Sequence, residues 1–90
     1  MKKSFKIIEQ IMELYRLLEL ELYRISPNPN SSSKIMDYSK TLPEERRIVL
    51  DDIRNFRNQC AFSSKMPELP ENHKEWIAFL ENEIALLKKD

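Results

Sequence analysis

Apolar residues recur at helical spacing in three segments of this chain, and proline-bearing stretches separate them. From Phe5 to Ile25 the chain reads FKIIEQIMELYRLLELELYRI, with Ile, Leu, Met, Phe or Tyr at 13 of 21 positions. Projected at about 100° per residue, Ile7, Ile11, Leu14, Leu18, Leu22 and Ile25 form a core stripe. Ile8, Tyr15, Met12, Phe5 and Tyr23 widen that stripe to about half the circumference. Leu17 and Leu20 fall outside even this arc, among Glu13, Arg16 and Arg24. The second long segment has Val49, Ile53, Phe56 and Cys60 as its core line, with Leu50 on one shoulder. The third gathers Trp76, Ile77, Phe79, Leu80, Ile84 and Leu87 on one face and Lys74, Glu75, Glu81, Asn82 and Lys88 on the other.

Punctuation sets the boundaries. The first helix covers about 4–25 and stops before Ser26-Pro27-Asn28-Pro29-Asn30, which opens a loop over 26–33. A short helix follows at about 34–40, carrying Ile35, Met36 and Tyr38. The next helix covers about 41–62, with Thr41 as cap, Pro43 in the first turn and Glu44 reaching back. A second loop covers 63–69. The last helix covers about 70–89, Asn72 to Glu75 repeat the capping pattern, and Lys88 and Lys89 suit the negative helix end. The expected fold is all-α in a single domain: a small three-helix bundle, with a fourth short helix at 34–40.

Composition narrows the chemistry. Ninety residues lie near the size at which one core suffices only marginally. The chain has no glycine, so it lacks the residue that phosphate-cradling loops and tight hairpins depend on. Lys plus Arg and Asp plus Glu each number 15, which leaves no bulk charge to draw the chain to nucleic acid or a membrane. One cysteine forms no intramolecular disulfide. The two N-terminal lysines precede no continuous apolar run or small-residue cleavage site, and no stretch approaches the roughly 20 apolar residues of a span. We therefore expect a cytoplasmic protein.

Catalytic material is thin. His73 is the only histidine, beside the apolar face of the last helix, and reads as a structural side chain. Cys60 sits on a core line and reads as a packed thiol. Glu81 and Glu83 lie about 200° apart, so they share no metal. The expectation is a non-enzyme with no cofactor, no metal and no small-molecule substrate.

What remains is surface. The first helix carries more apolar residues than its bundle needs, and the partner-binding residues we expect there are Phe5, Met12, Tyr15, Leu17, Leu20 and Tyr23. The spacing 7, 11, 14, 18, 25 also follows a heptad seam, so the partner is either another protein or a second copy. Arg46, Arg47, Arg54 and Arg57 fall within about 100° on the second long helix and offer anionic contacts. Asp51 can pair with Arg47 and Arg54 along the same helix, which makes that stripe an ordinary solvated face. No aromatic residue interleaves the arginines to stack a base. The leading functional reading is a non-catalytic interaction or regulatory subunit (an inhibitor, an antitoxin-like or immunity-like partner, or an assembly adaptor). A nucleic-acid-binding regulator is its alternative.

Two family resemblances attach to particular residues. Leu14-Tyr15-Arg16 resembles the motif of the LYR proteins, mitochondrial adaptors for acyl carrier protein and iron–sulfur or respiratory assembly. Ile53-Arg54-Asn55-Phe56-Arg57 is similar to the downstream Arg/Phe element of that family. The resemblance implies an adaptor for acyl carrier protein, with Leu14, Tyr15, Arg16 and Phe56 carried over. The chain departs from it in being neutral and in placing Glu19 where an apolar residue is usual. Phe56-Arg57-Asn58 resembles the HEPN-type ribonucleases, whose catalytic arginine is followed shortly by histidine. Here Gln59, Cys60, Ala61 and Phe62 follow, which implies a non-catalytic relative. We assign the chain to neither family.

Overall fold

The computed structural model describes residues 2–25, 34–62 and 67–89. They form four helices: α1 (Lys2–Ile25), α2 (Lys34–Ser39), α3 (Glu44–Phe62) and α4 (His73–Lys88). The bundle is all-α, with the short helix present as its second element. The predicted loop over 26–33, and residues 63–66 of the other, lie outside the described residues. No described helix is long and apolar enough to cross a membrane.

At 1.5 Å per residue α1 is about 36 Å long, nearly the whole 38 Å long axis of the molecule. It is the spine. It packs most extensively on α4 and also on α2, while α2 and α4 each touch α3. The core draws on every helix: Ile8, Ile11, Leu18 and Leu22 from α1, Ile35 from α2, Leu50, Ile53 and Phe56 from α3, and Trp76, Leu80 and Ile84 from α4. Phe56 and Trp76 meet edge to face, ring centroids 5.4 Å apart, the arrangement that aromatic quadrupoles favour.

The inward faces are rotated from those the periodicity suggests. On α1 the buried line runs through Ile8, Ile11, Tyr15, Leu18 and Leu22, whereas Ile7 and Leu14 are half-buried and Ile25 is exposed. On α3 Leu50 is no shoulder residue. It has no exposed surface, while Val49 and Cys60 are half-buried. The short α2 packs against both α1 and α3, so each of these helices has more than one neighbour to face.

Capping also differs from expectation. Thr41 does not cap α3: its hydroxyl donates to the Tyr38 carbonyl at 2.7 Å and closes the end of α2. Ser39 does likewise toward Met36 at 2.8 Å. Pro43 precedes α3, and its carbonyl accepts the first helical bond from the Arg47 N–H at 2.9 Å. Asn72 makes no side-chain capping bond at the start of α4. His73 supplies the local order instead. Its Nδ1 lies 2.8 Å from the Pro70 carbonyl, and since a carbonyl only accepts, that nitrogen carries the proton. At the far end Arg24 of α1 reaches the Leu87 carbonyl of α4 at 3.4 Å.

Candidate interaction surface and its buried support

Three helices meet at one carboxylate. Glu83 lies in the core stripe of α4, one turn from Phe79 and one from Leu87, and is 1% exposed. Burying an isolated carboxylate is prohibitive, so it needs partners. Arg46 of α3 donates to it from Nε at 3.0 Å and from Nη2 at 2.5 and 2.6 Å to the two oxygens. Tyr38 of α2 donates its hydroxyl to Oε1 at 2.5 Å. Burial, and then the bond to Glu83, push the Tyr38 phenol up to about 12. The same carboxylate holds the Arg46 guanidinium above its ordinary range. This cluster joins α2, α3 and α4.

Arg46 therefore does not belong to a free anionic-contact stripe. Leu50 is the centre of the α3 core, and Arg46, Arg54 and Arg57 stand at helical spacing along the stripe that contains it. All three are half-buried, and only Arg47 is exposed. Their aliphatic stems cover core while their charged ends find local company. Arg57 stands over the Tyr15 ring at 5.7 Å. Arg54 approaches Asp51 at 3.9 Å, and its Nε is buried without a hydrogen-bond partner. The four arginines do not make one solvated face.

The predicted partner-binding residues also separate. Tyr15 is a correction: it is 5% exposed and packs in the core under Arg57. Its phenol is pushed up by burial first and by Glu19 second. Phe5 and Leu20 are 55% and 50% exposed. Tyr23 is exposed at the last turn, with the Lys34 ammonium over its ring at 5.6 Å. Leu17 leans toward α4, where it borders a shallow hollow with Leu14, Ile84 and Ala85.

Between α1 and α3 runs an open groove of about 510 Å³. Its apolar wall is Phe5, Ile8 and Met12 on one side and Cys60 and Ala61 on the other. Glu9, Glu13, Arg16 and Arg57 complete it, two acids and two bases. Glu13 and Arg16 already pair one turn apart, at 2.5 Å, both more than half exposed. That bond holds the Glu13 carboxyl below the usual carboxylate range. Burial pushes the Cys60 thiol up, so its reactive thiolate is disfavoured.

No protein-family model, curated protein or solved structure matches this chain. Among the positions the LYR resemblance carries over, Tyr15 and Phe56 are buried and Leu14 is half-buried, which leaves Arg16 at the surface. Among the described residues, no three His, Cys, Asp or Glu side chains converge as metal ligands. Sequence reading missed Glu83 as a core residue, although a signal was present. On the helical projection it falls between Phe79 and Trp76, inside the apolar arc of α4.

Proposed function

We propose that this protein is a non-catalytic interaction subunit that binds a protein partner along the outer face of α1. The observation that carries the reading is the placement of Phe5 and Leu20. Both are about half exposed on the helix that forms the spine, and a groove with apolar walls opens beside one of them. Residues suited to chemistry are engaged otherwise: Glu83 with Arg46 and Tyr38, His73 with its own loop, and Cys60 half-buried as a thiol. Arg46, Arg54 and Arg57 of α3 are half-buried against the fold and only Arg47 is exposed, which sets the nucleic-acid reading second.

Site-specific photo-cross-linking in the native cell tests the proposal. A photoreactive phenylalanine analogue at Leu20 is expected to give a discrete protein adduct, whereas the same analogue at the exposed Asn82 of α4 gives none. Absence of any adduct from Leu20 and from Phe5 overturns it.

A further inference from the structure

The outer stripe of α1 is complementary to itself when reversed. Phe5, Glu9, Arg16 and Leu20 fall within about 60° on the helical projection, over about 22 Å of helix. Reversing the helix about the point between Met12 and Glu13 exchanges Phe5 with Leu20 and Glu9 with Arg16. Apolar residues meet apolar residues, and an acid meets a base twice. We propose that the occupant of this face is a second copy of the chain, with the two α1 helices packed antiparallel about a two-fold axis at Met12–Glu13.

Other pairings fail on charge. A parallel two-fold sets each residue beside its own counterpart, so Glu9 faces Glu9 and Arg16 faces Arg16, which is repulsive. Sliding the antiparallel pair so that Glu13 meets Arg16 places Glu9 against Leu20 and Phe5 against Arg24, so charges are desolvated against apolar side chains. The chosen register also disposes of the edges. A two-fold axis across the helices brings Met12 beside its twin on the groove side. The two Glu13 carboxylates, which also line the groove, come beside each other on the opposite flank of the stripe, each already held by its own Arg16. The groove lining carries equal numbers of acids and bases, which suits a partner with the same balance. Such reciprocal contacts, residue for residue, define an isologous interface.

This inference rests on the interaction reading above, and charge reversal in purified protein tests it separately. Wild type is expected to dimerise in sedimentation velocity at up to millimolar concentration. Glu9→Arg alone and Arg16→Glu alone each weaken the dimer by tenfold or more, because each creates two like-charge contacts. Mixing the two variants restores association as a heterodimer, identified by native mass spectrometry. Both residues are solvent-exposed, and circular dichroism of each variant shows that the fold is intact. A monomeric wild type, a dimer indifferent to both reversals, or a mixture that fails to associate overturns the proposal. If Leu20 still cross-links a different protein in cells, the interaction reading stands while the self-association fails. No adduct and no dimer defeat both.

Discussion

Replacing Arg46 with methionine takes away the one cation that pairs, among the described residues, with the buried Glu83 carboxylate. Glu83 is 1% exposed and accepts hydrogen bonds from two arginine nitrogens and from the Tyr38 hydroxyl. After the change, the neutral Tyr38 hydroxyl is the donor that remains among the described residues. Removing one member of a buried ion pair costs about 3–5 kcal/mol when the site stays dry. The Arg46 side chain is 39% exposed, so water enters from its side and we reduce that cost to about 2–3 kcal/mol. This is a large share of the roughly 5–15 kcal/mol that holds a domain together. Equilibrium unfolding in urea, followed by circular dichroism, measures it as a midpoint lowered by about 1–2 M at unchanged slope. The decisive comparison is a triple variant, Arg46→Met with Glu83→Leu and Tyr38→Phe. It removes the charge along with its partners and is expected to lie within about 1 kcal/mol of wild type. A single variant that costs under about 1 kcal/mol, or a triple variant as damaged as the single, would refute the claim that an unpaired carboxylate drives the loss.

Three further outcomes follow from the same packing. The Tyr38 phenol, held up to about 12, ionises after an ordinary tyrosine. Because its folded value is raised, the stabilisation is complete below the usual value of about 10 and is lost as pH rises through about 12. Ultraviolet titration of wild type against Tyr38→Phe checks this, and loss of an early-titrating tyrosine in the variant contradicts it. Leu20→Glu is expected to abolish self-association while Leu17→Glu leaves it intact, since Leu17 borders α4 rather than the outer stripe; equal effects in sedimentation would place the seam elsewhere. Leu50→Ala is expected to cost about 2–5 kcal/mol and Ile48→Ala under about 0.5 kcal/mol, because Leu50 is fully buried and Ile48 is half exposed. Thermal unfolding of the two variants ranks them, and similar losses would mean that α3 presents a different face to the core.

Several features of this fold are legible from local pattern alone. Prolines at positions 27, 43 and 70 fall near the ends of the long helices, because the ring and the restricted preceding residue interrupt helical bonding. The helical period identifies which segments bury a face. It does not identify which neighbour that face meets, so the stripes of α1 and α3 come out rotated. Leu50 is the clearest case. Three arginines share its stripe, and a pattern reader assigns such a stripe to solvent. Arg46 reaches inward to Glu83 of α4, and the two residues are far apart in sequence. The apolar surplus of α1 is visible at once, but its division between core and surface is not. Tyr15 is buried, with Arg57 over its ring, while Phe5 and Leu20 are about half exposed.

The cluster around Glu83 also has a consequence across generations. A substitution at position 46 or position 83 alone passes through a destabilised protein, whereas a joint exchange to two apolar residues need not. Those positions are therefore expected to mutate as a pair, with position 38 following when its hydroxyl loses an acceptor. In a set of diverged copies, their co-variation would reveal how α3 lies against α4 before any coordinates were known. Positions 9 and 16 would carry the same kind of correlated signal. Because both sit on α1, too far apart for a single helix to couple them, that signal would come from between molecules.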